Sequence, residues 1–421
     1  MARSDDRYRQ VVEPISSLLQ RSPRADCEET SLIDRRTTAL RERVAVVGVG
    51  DTDYPTDYRR GRQADGAAAP DGITFGLSAL SRALDDAGLD KGDIDGLVVG
   101  PHLSYERTAE AAGLDLAWAS QADAAHSIIQ GAAAIVSGLA NCVALVYGYN
   151  QRSAGVQYGG PQAASSQAIR AYVYYAPWGL TSQGGLYALM TNRYMQRFGL
   201  SERDLGRVAV AQREFAAKND NAIMQEPISL DDYLSSRYIV EPLHLYDYCL
   251  VNDGGVALIL TSAERADRLD VTPALIQGIG RHDLNRRATS LEPRLIDFYH
   301  SGHRRAAEQV YQMSDCGPAD IPCVQIYDSF SSHIIFALEG FGFCPEGQAL
   351  QFLGTEGAPK VNTSGGHLSE SYMQGWNHQV EAVRQIRGQA GARQVDGCDR
   401  VQYICDAVGK VTTIIYSDGS A

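Results

Sequence analysis

The stretch NTSGGHLSESYMQGWN, residues 362 to 377, sets a phenol, Tyr372, behind a pair of glycines and just ahead of a helical pattern. Gly365 and Gly366 would let backbone N–H groups come close to a ligand, because no side chain intervenes. A tyrosine, with an ordinary pKa of about 10, lies nearer to an alkanol than a carboxylate does, so it suits acid–base work at a hydroxyl once its surroundings lower that value. Other residue groupings suggest less chemistry. The cysteines at 27, 142, 249, 316, 323, 344, 398 and 405 form no C-x-x-C pair and read as reduced, buried thiols. His300 and His303 in YHSGHRR have no third acidic or thiol ligand close by, so no metal is assigned to them. The GVG of residues 48 to 50 is followed by Asp53 where a dinucleotide loop needs its third glycine, and no acidic partner follows at the right spacing.

The elements that must position Tyr372 come from a repeat. ALDDAGLDKGDIDGLVVG, residues 83 to 100, aligns without gaps against VYQMSDCGPADIPCVQIY, residues 310 to 327. Each reads as a helix end, a turn with an Asp-Ile pair (Asp93-Ile94 and Asp320-Ile321), and a buried strand. Further on, ASQADAAHSIIQGAAAIVSGL and GGHLSESYMQGWNHQVEAVRQIRG each open a helix, and the apolar strands CVALVYG and VTTIIYS are read as their sequels. Two α/β halves of one design account for this pattern. Residues 1–43 read as a polar, Arg-rich extension, 44–265 as the first half with a non-repeating insertion at 151–245, and 270–421 as the second half. The insertion carries a Gly/Ser/Gln-rich loop, YGGPQAASSQ, and two amphipathic helices expected to cover the face where the halves meet.

Composition bounds the rest. In 421 residues, 51 acidic against 38 basic side chains give a net charge of -13, which argues against a nucleic-acid or membrane-surface binder. The opening MARSDDRYRQ has no apolar core and no run of about 18 apolar residues follows, so a cytoplasmic protein without a membrane span is expected.

The segments RYMQRFGLSERDLGRVAVAQREFAAKNDNA, EPLHLYDYCLVNDGGVALILTSAERA and NTSGGHLSESYMQGWNHQVEAVRQIRG closely resemble the thiolase superfamily, in its sterol-carrier-protein X and lipid-transfer branch, from about Val44 to Tyr416. The resemblance implies a thiolase fold, with duplicated βαβαβαββ halves in a five-layer αβαβα arrangement, a homodimer core and acyl-CoA substrates. The nucleophilic cysteine that thiolases carry at the start of a first-half helix falls near Gln121, and no cysteine lies between 28 and 141. The thiolase histidine falls on Tyr372, the His-Asp-Cys-Phe motif of the branch becomes Tyr327-Asp328-Ser329-Phe330, and the region of the acid–base cysteine becomes DAVGKV with Cys405 just before it.

That pattern is similar to the steroid side-chain aldolases of the branch, which cleave a β-hydroxyacyl-CoA by a retro-aldol step and work with a small zinc-ribbon/OB-fold partner. The resemblance makes Tyr327 the base and Tyr372 the acid, with the roles exchangeable. Asn362, Ser364, Gly365, Gly366 and His367 become the oxyanion or CoA loop, with Asp328 and Gln121 in support. No cofactor is expected beyond the coenzyme A of the substrate. His126 and His333 read as packing histidines, and NDGG at 252–255 as a turn near the CoA channel. A thiolase-like acyltransferase and a catalytically silent acyl-CoA- or lipid-binding subunit are the competing readings.

Overall fold

In a computed structural model the described residues are 39–63, 70–156, 158, 176–180, 182–283, 297–407 and 410–420. The extension up to residue 38 and nearly all of the YGGPQAASSQ loop lie outside them.

The first half opens with β1 (Val44–Asp51), whose eight residues are all buried, as an unbroken apolar run requires. Helix α1 (Tyr54–Gln63) and helix α2 (Gly72–Ala87) follow. Asp71 caps α2 by accepting the Thr74 N–H, and Gly88 closes it in the left-handed region at φ 63°. Next come β2 (Gly96–Val99), α3 (Tyr105–Ala112), β3 (Trp118–Gln121), α4 (Ala124–Val136) and β4 (Cys142–Asn150). An excursion then carries α5 (Gln183–Phe198), α6 (Glu202–Ala216) and a ribbon of β5 (Tyr238–Val240) and β6 (Leu243–His244), before β7 (Asp253–Ser262) returns to the sheet. The second half is β8 (Ala274–Asp283), α7 (His300–Ser314), β9 (Cys323–Ile326), α8 (Ser331–Gly340), β10 (Lys360–Val361), α9 (Trp376–Ile386), β11 (Arg400–Cys405) and β12 (Lys410–Ser417).

The strand order β10-β9-β11-β12-β8-β1-β7-β4-β2-β3 is the same wiring used twice around a β8–β1 seam. In each half the first strand pairs antiparallel with the last, and the last antiparallel with the fourth. The fourth strand then pairs in parallel with the second, and the second with the third. The aligned stretches 83–100 and 310–327 are equivalent elements, each a helix end, a single 3₁₀ turn (Lys91–Asp93, Pro318–Asp320) and a buried strand. One pairing needs correction. VTTIIYS lies in β12 and corresponds to β7, while the counterpart of CVALVYG in β4 is β11. The reason is topological: β4 and β11 are the strands that add in parallel beside β2 and β9.

Helix α2 lies on β1, β7 and β4, and α7 lies on β8 and β12. Helices α4 and α9 each touch strands of both halves, so they form the layer between them and complete the αβαβα stack. Three apolar clusters follow this layering. One joins α4, α9 and strands of both halves, and two lie beneath α2 and α7. The excursion's helices pack on the second half, where Gln212 of α6 donates to the Val361 carbonyl at 3.4 Å and Tyr194 of α5 to Glu339. The segment after them reaches both halves: Asn219 donates to the Ser364 carbonyl at 3.0 Å and Asn221 to the Thr52 carbonyl at 3.0 Å. Among the described residues no helix is long and apolar enough to cross a membrane.

The α2 layer approaches β1 closely because glycines stand beneath it. A Cβ on Gly48 would lie 2.3 Å from the Ala83 carbonyl oxygen, and one on Gly50 2.2 Å from that of Ala79. Gly48→Ala is expected to lower stability by about 1–3 kcal/mol through overpacking. An unchanged melting temperature would show that α2 can move outward freely.

Candidate active site

Tyr327 owes its place to β9. The parallel pairing of β9 with β11 runs one residue further, with the Tyr327 N–H donated to the Ile404 carbonyl at 2.8 Å. On the other side β10 has ended, and the Asn362 side chain takes over its role. That amide accepts the Ile326 N–H at 2.6 Å and donates to the Ile326 carbonyl at 2.9 Å. An asparagine suits this position, since its φ is 50° and asparagine tolerates the left-handed region. The next residue, Asp328, is fully buried and accepts the N–H groups of His367 at 2.8 Å and Leu368 at 3.4 Å. It also accepts His378 Nε2 at 3.0 Å. A short helical turn, Gly366–Ser369, is thereby fastened to the YDSF segment.

Tyr372 follows that turn and is held at both ends of its own backbone. Its N–H donates to Asn252 Oδ1 at 2.8 Å, and its carbonyl accepts Gln151 Nε2 at 3.1 Å. The hydroxyls of Tyr327 and Tyr372 meet at 3.0 Å. The His367 ring stands edge-on to both, 4.8 Å from each centroid, and its Nε2 accepts the Gly375 N–H at 2.8 Å. Gly375 sits at φ 87°, and a Cβ there would be 2.0 Å from the Tyr403 hydroxyl and 3.3 Å from the Tyr327 ring. The two phenols keep 7% and 9% exposure.

Burial dominates the electrostatics. It raises both phenols well above their ordinary value, with nearby Cys405 adding to Tyr327 and Tyr327 adding to Tyr372. This reverses the expectation that the surroundings lower a phenol pKa: the dyad is a pair of neutral hydroxyls. Burial likewise raises the neighbouring thiols, Cys249 and Cys405, the latter to about 12, so neither is a standing thiolate. His367 is pushed well below its usual value by burial and by His378, which keeps its imidazole neutral.

The glycine loop differs from its expected part. The Gly365 N–H is donated to Asn362 O at 2.8 Å, and beyond Gly366 the N–H groups of His367 and Leu368 are donated to Asp328. Those three N–H groups cannot also serve an oxyanion. Asn362, Gly365, Gly366 and His367 form the scaffold beneath the dyad. Ser364 reaches away from it, donating to Glu370 at 2.8 Å. Gln121 is exposed at the end of β3 and donates to the Leu103 carbonyl at 2.7 Å. It reaches the Tyr372 loop indirectly, since the adjoining His102 meets Gln374 at 3.2 Å. His126 lies half-buried on α4 beside the Arg281 guanidinium.

Sequence reasoning missed the residues that brace the phenols. Asn252 is not in a turn: it leads directly into β7, and its amide anchors Tyr372 and also donates to Ser371 Oγ at 2.9 Å. Gln151 and Tyr158 follow β4, with Tyr158 donating to Gln151 and its ring 6.4 Å from that of Tyr372. The polar residues leading into β7 were the available signal. Asp328, His367 and His378 place potential ligand atoms within 4.8 Å of one another. Asp328 Oδ1 and His378 Nε2 are already engaged with each other, so we read the cluster as a hydrogen-bonded core.

Comparison with known proteins follows the same lines. Residues 289–416 match the family description "Thiolase C-terminal domain-like". A steroid side-chain-cleaving aldolase of Thermomonospora curvata is 34% identical over 365 residues, covering 82% of this chain and 90% of that protein. A 17-hydroxy-3-oxo-4-pregnene-20-carboxyl-CoA lyase of Mycobacterium tuberculosis is 33% identical over 373 residues, covering 83% and 92%. Among solved structures, the Ltp2-ChsH2(DUF35) aldolase superposes with a TM-score of 0.80 at 31% identity, covering 91% of this chain and all of that one.

Glu370, two residues before Tyr372, offers a test of the buried scaffold. Burial and the Glu381 carboxylate push it up to about 8, although Asn377 at 2.7 Å and Ser364 at 2.8 Å donate to it. Its folded pKa is above its unfolded one, so the stability it contributes is complete below the ordinary value of 4.5 and is lost progressively as pH rises from there to about 8. Glu370→Gln is therefore expected to flatten the fall in melting temperature between about pH 5 and 8. An equal slope in both proteins would place the titration elsewhere.

Proposed function

The chain belongs to the thiolase superfamily, on the branch of the steroid side-chain-cleaving aldolases, and on that premise we propose that it is an acyl-CoA aldolase performing retro-aldol cleavage of a β-hydroxyacyl-CoA. The single observation that carries this reading is the 3.0 Å contact between two buried neutral phenols on the loops where thiolases keep their polar catalytic residues. The substrate is proposed to be a steroid side-chain thioester or a similar ring compound, giving a ketone and a shortened acyl-CoA.

Because burial disfavours a phenolate, the proton moves through the pair instead of resting on it. The β-hydroxyl proton passes to the Tyr327 oxygen as the bond between the α- and β-carbons breaks. The Tyr327 proton passes to Tyr372, and the Tyr372 proton goes to the α-carbon of the enolate. Both phenols end as they began, and the same balance holds with the two exchanged. No covalent intermediate and no cofactor beyond the coenzyme A of the substrate enter this scheme. It also fits the raised thiols of Cys249 and Cys405, which disfavour the acyltransferase reading. A partner subunit is supported by the likeness to the two-component Ltp2-ChsH2(DUF35) aldolase. We propose a small zinc-ribbon/OB-fold partner on a homodimeric core, working in the cytoplasm.

Tyr327→Phe and Tyr372→Phe are each expected to lower ketone release from a β-hydroxyacyl-CoA by about 10²-fold or more, with the circular dichroism unchanged. In a shared relay the double variant falls little further than either single. Full activity in either single variant, or losses that multiply in the double, would remove the relay.

A further inference from the structure

Beside the dyad lies a second constellation that aldol cleavage does not use. Ser329 Oγ stands 3.0 Å from His333 Nε2. His333 Nδ1 is hydrogen-bonded to Asp406 Oδ1, and the other oxygen of Asp406 is 3.1 Å from His303 Nε2. Hydroxyl, imidazole and carboxylate in this order are the parts of a serine-hydrolase triad, which is recognised by geometry and roles, not by chain order. With Asp406 holding the Nδ1 proton, Nε2 is left to accept from Ser329. Burial alone would raise the Asp406 carboxyl, but His333 and His303 outweigh it and keep it well below the usual range.

Two further observations concern access and oxyanion donors. His333, Asp406 and His303 have no exposed surface, whereas Ser329 keeps 9%, comparable with the phenols, so the serine is the member of the chain nearest to solvent. Ser329 also lies between β9, which ends at Ile326, and α8, which begins at Ser331 and has no side-chain cap. Of the first-turn N–H groups of that helix, the one on His333 goes to the Phe330 carbonyl at 3.1 Å, while those of Ser331 and Ser332 are donors of the kind an oxyanion needs. The His333 ring is 5.6 Å from that of Tyr327, so triad and dyad adjoin.

We propose that Ser329 is the nucleophile of a thioesterase activity that hydrolyses acyl-CoA at the mouth of the aldolase site, with His333 as its base and Asp406 orienting the imidazole. The substrate class rests on the acyl-CoA reading above. Ser329 Oγ adds to the thioester carbonyl and its proton goes to His333 Nε2. The carbon–sulfur bond breaks, and coenzyme A leaves as the thiol with that proton. Water then adds to the serine ester and gives a proton to His333, which returns it to Ser329 as the free acid departs.

The test uses the full-length protein with propionyl-CoA, which lacks a β-hydroxyl and so cannot enter aldol cleavage, and reads coenzyme A release with a thiol reagent. A fluorophosphonate probe with peptide mass spectrometry locates the nucleophile. The expected result is release above buffer that drops at least about 10²-fold in Ser329→Ala, with a phosphonyl label on the peptide containing Ser329. Tyr372→Phe is expected to lose ketone release yet keep the label, so failure of the aldolase reading and failure of this proposal appear in different assays. No coenzyme A release from the wild-type protein, release unchanged in Ser329→Ala, or a label on another residue would overturn the proposal.

Discussion

The site depends on one buried carboxylate. Asp328 has no exposed surface, yet it ties together three segments that are remote in sequence: its own YDSF loop, the glycine turn through the His367 and Leu368 N–H groups, and α9 through His378. A buried charge is tolerated where several donors converge on it, and removing its partners costs several kcal/mol, typically about 3–5. The geometry of the glycine turn follows from this. Gly366 must lack a Cβ because Asp328 Oδ2 would lie 2.3 Å from it, and Gly375 must lack one because the Tyr403 hydroxyl would lie 2.0 Å away. The two phenols meet because the loops that carry them are fastened to the same oxygen atoms.

Acidic side chains stand behind the reacting surface and neutral groups at it. Asp328, the Glu370–Glu381 pair and the Asp406–His333–His303 chain form an inner tier, while the outer tier is two phenols, two un-ionised thiols and the neutral imidazole of His367. In low-dielectric surroundings an isolated phenolate is costly, whereas a proton moving along a hydrogen bond creates little net charge. The same burial that rules out a resting base favours a relay. It also keeps Cys405 from standing in as a nucleophile, since a thiol raised to about 12 gives almost no thiolate at neutral pH.

Several features of this arrangement were legible in the residues. The unbroken apolar run at Val44–Asp51, the aligned repeat at 83–100 and 310–327, and the glycine turn ahead of Tyr372 all announced themselves through periodicity and punctuation. Strand identity was harder. VTTIIYS looked like the sequel to CVALVYG because both are short, apolar and β-branched, but periodicity carries no information about which neighbour a strand pairs with. The oxyanion role given to the Gly365 N–H failed for a similar reason: a glycine pair shows that a backbone can approach something, not whether its donors are already taken.

The sequence by itself determined the two-half α/β plan, the absence of a cysteine between residues 28 and 141, and the tyrosines at 327 and 372, because each of these is a local property of residue type and spacing. Tertiary structure alone decided that those phenols touch, that they are neutral, that Asn252 and Gln151 hold one of them in place, and that Ser329, His333 and Asp406 line up beside them. Those facts depend on distance and desolvation between residues as many as 221 positions apart, as for Gln151 and Tyr372. A pKa is set by what surrounds a group in space, and in this fold most of what surrounds the dyad comes from other segments of the chain.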